Sequence, residues 1–199
     1  MALTVLGMRH GEVLNPKGVI YAGLDGYGLS DAGRAQAQAV AEALRGRTLA
    51  GLYASPLDRA MQTAGFIAEV TGAEVVPDDR LYEWRHWQQW AGLTWDELRT
   101  KGREAWELYT TDPGAVTEGE SLEQLADRFG SWLEEVRREH AEGLVIGVTH
   151  LEGLRATLLR VLGRPASHLF QVEIGLADVV RLYPDADTLP LTPDALARM

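Results

Sequence analysis

The octapeptide LGMRHGEV, residues 6–13, sets Arg9, His10 and Glu12 around Gly11 where an apolar run of the chain ends. Two further stretches carry comparable groups: SPLDRAMQTA at 55–64, with Arg59, and VTHLEGLRATLL at 148–159, with His150. Two arginines and two histidines, each just beyond an apolar run, suit phosphoryl transfer. A phosphoryl group in flight spreads negative charge over its equatorial oxygens, and catalysis consists largely of holding donors there while a nucleophile sits in line. Arg9, Arg59 and a protonated His150 would supply the donors, and His10 the nucleophile. Neighbouring arginines disfavour the imidazolium, so His10 is expected to stay neutral, with one ring nitrogen free if a hydrogen bond holds the other. The leaving oxygen needs a proton, and a carboxyl beside the phosphate would have a raised pKa suited to giving one. Glu83 is the candidate, with Asp78, Asp79 and Glu12 as alternative carboxylates.

Such a cluster works only if the fold brings its members to one rim. The runs at 3–8, 49–54, 73–77, 144–149 and 178–183 are short, apolar and largely β-branched, and read as strands. Between them lie helical patterns: SDAGRAQAQAVAEAL at 30–44, and 55–72, with Ser55 as cap, Pro56 in the first turn and Gly72 as stop. TWDE at 94–97 and SLEQ at 121–124 match the capping box, so helices should begin at Thr94 and Ser121, the second running to about Gly143. The alternation predicts a mainly parallel sheet covered on both faces, with ligands outside the carboxyl ends of the strands. Residues 78–120 interrupt it as a tryptophan-rich insertion over the site. One domain over 1–183 and a C-terminal tail at 184–199 are expected.

Trp84, Trp87, Trp90, Trp95 and Trp106 read as the insertion's own small core in preference to an aromatic pocket above the phosphate. Asn15 and Tyr21 are candidate substrate contacts that would equally serve to cap and pack the first loop. His86, His140 and His168 read as surface or packing residues.

With 199 residues and 24% charged, the chain can bury one core unaided. It contains no 18-residue apolar run and no signal peptide pattern, so a cytoplasmic location is expected. The absence of cysteine excludes disulfides, thiolate catalysis and cysteine-ligated metals. A net charge of −10 disfavours nucleic acid and anionic membranes as partners. Lys17 and Lys101 are the sole lysines, so an anion site would be built from arginine, whose planar fork suits phosphate.

RHGE, SPLDRAMQTA, LYE before WAGLT, EGES and VTH followed by Arg155 occur in the order found in the histidine phosphatase superfamily, or phosphoglycerate mutase-like family. The resemblance covers about residues 3–183. It implies a three-layer α/β/α sandwich in which His10 becomes a phosphohistidine, Arg9, Arg59 and His150 form the phosphate pocket, and Glu83 acts as general acid and then base. No metal or cofactor is implied. The segment from Arg9 to Arg34 resembles one bacterial branch, in which Asn-Pro follows the first motif. The chain departs from the family at Leu151 and Glu152, where phosphatases commonly carry glycines and mutases Gly-Asn, and in a spacing from Glu83 to Trp90 one residue longer than usual. A carboxylate at 152 disfavours bisphosphate substrates. The expected function is hydrolysis of a small phosphorylated metabolite, with a phosphoglycerate mutase or a phospho-ligand binding protein of reduced catalysis as alternatives, and a homodimer left open.

Overall fold

Each of the five apolar runs forms a strand. The computed structural model describes residues 2–199, with β1 (Thr4–Arg9), β2 (Leu49–Ala54), β3 (Val75–Pro77), β4 (Leu144–Thr149) and β5 (Val179–Tyr183) in one sheet of order β3-β2-β4-β1-β5. All neighbours are parallel except β5, which runs antiparallel to β1. The helices are α1 (Asp31–Ala43), α2 (Asp58–Thr71), α3 (Trp95–Lys101), α4 (Arg103–Thr111), α5 (Leu122–Glu139), α6 (Leu151–Val161) and α7 (Pro193–Arg198).

Side chains of a buried strand alternate between the two faces, and β1 shows the consequence. Val5 joins the cluster of Phe129, Trp132 and Leu154 from α5 and α6, whereas Leu6 and Met8 join that of Ala41, Ala60 and Ile67 from α1 and α2. The result is the expected three-layer α/β/α arrangement. Register then positions the site: Arg9 lies opposite Thr149, so β1 and β4 end level and the next residues, His10 and His150, leave the sheet side by side.

Both capping boxes form, Thr94 with Glu97 and Ser121 with Gln124. Helix α5 stops at Glu139, short of Gly143. Ser55 does not cap α2: the cap position is Leu57, without a side-chain bond, because the Ser55 hydroxyl is turned toward His150. Gly72 ends α2 as read, at φ 72°, a left-handed conformation that costs glycine little.

The tryptophans of 78–120 do not make a core of their own. Trp84 and Trp87 are buried in the same cluster as Leu125 and Phe129, and Trp90 and Trp106 pack against it. The insertion is built of 3-10 turns and two short helices, too small to enclose indole rings unaided, so it uses the main core. The tail is ordered as well: Thr192 caps α7, and Leu196 is buried among the residues beneath α1. Among the described residues, no helix is long and apolar enough to cross a membrane.

Candidate active site

Beyond Arg9 the chain turns inward and buries His10, whose Nδ1–H donates to the Gly11 carbonyl at 2.8 Å. That bond leaves Nε2 with its lone pair. A β-carbon at Gly11 would stand 2.5 Å from the Gly33 oxygen, and one at Gly33 only 2.0 Å from the Glu12 oxygen, so the start of α1 presses on this loop only because both residues are glycine. The Gly11 N–H meanwhile donates to Thr63 Oγ1 at 3.1 Å, tying the loop to α2.

Arg59, the second residue of α2, is fully buried, not an exposed first-turn cation. Its Nη2 donates to the Ala22 carbonyl at 2.6 Å, and its guanidinium lies 4.7 Å from the centre of the Tyr21 ring. Arg9 Nη1 donates to the Ile174 carbonyl at 2.8 Å. His150 is the N-cap residue of α6, and its ring lies edge-on to that of His10 at 5.2 Å. Its Nε2 is 2.8 Å from Ser55 Oγ and its Nδ1 3.4 Å from Glu83 Oε2. Among the described residues, four buried nitrogens here have no hydrogen-bond partner: Arg9 Nε, Arg59 Nε and Nη1, and His150 Nδ1. Buried donors are normally satisfied, so a group of them beside a helix N-terminus suits an anion.

Burial governs the charge states. It lowers the His10 pKa to about 3, with Arg59 and Arg9 adding to the effect and the Gly11 bond opposing it. Burial, then Arg59, holds His150 well below the usual histidine range. Glu83 moves the other way: desolvation raises it to about 7, opposed by Arg59 at 3.6 Å and by the Trp84 N–H on Oε1 at 2.9 Å, and reinforced by Glu152. A carboxyl that titrates near neutrality is suited to proton transfer in both directions.

A histidine whose folded pKa is depressed contributes stability that is present above its unfolded pKa of 6.5 and lost as pH falls toward 3. At about 1.4 kcal/mol per pH unit, the wild type is expected to lose about 2 kcal/mol more than His10→Gln between pH 6.5 and about pH 5. Urea unfolding followed by tryptophan fluorescence at the two pH values measures the difference.

A cavity of about 320 Å³ opens over these groups, lined by Arg9, His10, Tyr21, Glu83, Trp87 and Glu152 among others. Residues 5–192 match the histidine phosphatase superfamily (branch 1). The chain belongs to that superfamily. It is 36% identical to phosphoserine phosphatase 1 of Hydrogenobacter thermophilus over 78% of this chain and 74% of the relative. Its fold superposes on YhfR of Bacillus stearothermophilus with a TM-score of 0.83 at 26% identity, covering 90% of both chains. It superposes on a mycobacterial glucosyl-3-phosphoglycerate phosphatase in complex with VO3 at 0.79 and 27% identity, covering 89% of this chain and 91% of that one. Phosphoglycerate mutases are also among the relatives.

In this histidine phosphatase superfamily member, Arg9, His10, Arg59, Glu83 and His150 do converge. The alternative carboxylates lie elsewhere: Glu12 is exposed and accepts from Ser30, Asp78 is paired with Arg80, and Asp79 is exposed. Asn15 lines the cavity, but its amide both donates to the Val19 carbonyl and accepts from the Val19 N–H, which makes it a clamp for its own loop. Tyr21 faces the cavity over Arg59. His86 is buried against Trp84 and Trp87, a packing residue.

Sequence reasoning missed the residues that hold Glu83 in place. Arg128 of α5 grips Glu120 through Nε and Nη2, each at 2.8 Å, while its Nη1 donates to the carbonyls of Arg80 and Tyr82 at 2.8 and 2.9 Å. Trp84 Nε1 donates to the Glu120 carbonyl at 2.8 Å. The backbone on both sides of Glu83 is thus pinned by one buried ion pair. The available signal was EGES followed by an arginine two turns into the helix that Ser121 caps. Arg128→Ala is expected to lower turnover of alkyl phosphates by roughly 10- to 100-fold through misplacement of Glu83. The measurement is kcat across pH. A displaced carboxyl should shift the limb near pH 7, which a loss of binding alone would leave in place.

Proposed function

We propose that this protein is a phosphomonoester hydrolase that transfers the phosphoryl group of a small phosphorylated metabolite to His10 and then to water, without a metal or cofactor. The observation that carries this reading is the neutral His10 with its free Nε2 in one cavity with Glu83, which titrates near neutrality, beside the buried unpartnered nitrogens of Arg9, Arg59 and His150. In the first step the Nε2–P bond forms as the ester O–P bond breaks, with Arg9, Arg59 and His150 donating to the equatorial oxygens and protonated Glu83 giving its proton to the leaving alkoxide. In the second, the Glu83 carboxylate takes a proton from water as the water oxygen attacks phosphorus and the Nε2–P bond breaks. Orthophosphate, neutral His10 and protonated Glu83 result. The phosphatase names of the relatives agree with this direction.

A phosphoglycerate mutase would use the same phosphate pocket but must seat a second anionic group beside it. Glu152 is buried on the cavity wall and does not point to solvent. At about 5 Å and an effective dielectric near 20, its repulsion of a second anion is on the order of 3 kcal/mol before screening. The excess of acidic over basic residues fits a cytoplasmic metabolite enzyme with no nucleic-acid or membrane partner. Orthophosphate release from a panel of phosphomonoesters, in chelator and with vanadate as inhibitor, tests the proposal. Activity should persist in chelator and fall with vanadate. Conversion of 3-phosphoglycerate to 2-phosphoglycerate faster than orthophosphate release would overturn it.

A further inference from the structure

Glu152 and the rings of Trp87, Trp95 and Tyr109 have no task in the chemistry above, yet all four line the cavity that holds His10 and Glu83. The rings stand nearly perpendicular to one another. Trp87 meets Trp95 at 82° with centroids 5.4 Å apart, and meets Tyr109 at 78° and 4.7 Å. The contacts are edge-to-face, the usual packing of aromatic pairs, and they group the three rings on one wall of the cavity, where a cation can meet a ring face. Trp95 is 40% exposed, whereas Trp87 and Tyr109 are buried.

Glu152 supplies a formal charge at the same wall. It is 7% exposed, and its Oε1 accepts from the Tyr109 hydroxyl at 3.1 Å, which joins the carboxylate to the aromatic group. Arg155 Nη1 also donates to Oε1, at 3.5 Å, and pairs with the carboxylate, while its Nε donates to the Val172 carbonyl; Oε2 takes neither the Tyr109 nor the Arg155 bond. A cavity with arginines at one end and a carboxylate among π-faces at another selects a ligand of opposite charges at its two ends.

Building on the hydrolase reading above, we infer that the alcohol portion of the substrate carries an ammonium or quaternary ammonium group, seated among Trp87, Trp95 and Tyr109 against Glu152. The test uses matched pairs of phosphomonoesters differing only in that charge: phosphoethanolamine against ethyl phosphate, and phosphocholine against 3,3-dimethylbutyl phosphate. In each pair the cationic ester is expected to have a kcat/KM at least tenfold higher, and 3-phosphoglycerate a lower value than ethyl phosphate. Glu152→Gln should bring the ratio in both pairs toward one, and Trp95→Leu should reduce it most for the quaternary pair. Equal kcat/KM within the wild-type pairs, or a preference for 3-phosphoglycerate over ethyl phosphate, would overturn the inference and leave the hydrolase reading standing. Orthophosphate release from none of these esters or any other would overturn both.

Discussion

His10→Ala is expected to lower phosphomonoester turnover by roughly 10⁴-fold or more, the scale seen when a nucleophile that works as one unit with its neighbours is removed. His10 is the residue whose ring is fixed by the carbonyl of the next residue, Gly11, through Nδ1–H, while Nε2 keeps its lone pair in the cavity. His150 lies 5.2 Å away, but its Nε2 is held by Ser55, so it is the lesser nucleophile and the better donor. Labelled substrate quenched without acid should leave label on the wild-type chain and none on His10→Ala. Label persisting on the variant would move the covalent step elsewhere.

The second large effect concerns Glu83. Glu83→Gln keeps the side chain's shape and its capacity to accept from the Trp84 N–H but removes the proton it gives. For alkyl phosphates, whose leaving alkoxide must be protonated, turnover should fall by roughly 100-fold or more. For nitrophenyl phosphate in a single turnover the loss should be much smaller, since nitrophenolate leaves unaided. The pH profile follows from the sign of the shift: a general acid with a pKa raised to about 7 is protonated below that value, so the alkyl phosphate rate should decline as pH rises through 7. In Glu83→Gln that decline should vanish. Equal losses on both substrates would give Glu83 a binding role instead.

The histidines and arginines of the candidate site were legible because each lies beside a strand end, where adjacency in the chain and adjacency in space coincide. Arg9 and His10 follow β1, and His150 follows β4. Arg59 follows one turn later, on α2. Glu83 lies in an irregular stretch, where Asp78 and Asp79 stood as alternatives beside it until the family resemblance favoured it, while Arg128 and Glu120, which hold it, join elements far apart in the chain. Ser55 was misread because Ser-Pro ahead of a helical run has the same local chemistry whether or not the hydroxyl caps; the decision rests with His150, 95 residues away. The desolvation of His150 was not legible for a related reason. Neighbouring charges can be guessed from motifs, but desolvation depends on complete enclosure, and that is a property of the whole fold. The tryptophans were taken as a local core for want of any sign that α5 would lie beneath them.

The sheet order also bears on how the protein is made. β1 and β2 come first in the chain but never touch; β4, made much later, lies between them and pairs with both. A nascent chain therefore carries His10 and Arg59 just beyond strands that have no shared partner until residues 144–149 have left the ribosome. Until then Leu6, Met8 and Leu52 lack the strand that covers their edges, and long-range pairing of this kind is slow to form and exposed to aggregation while it waits. The histidine pair of the candidate site and the keystone of the sheet are completed together, since His150 is the residue after β4. No N-terminal fragment ending before that point has either.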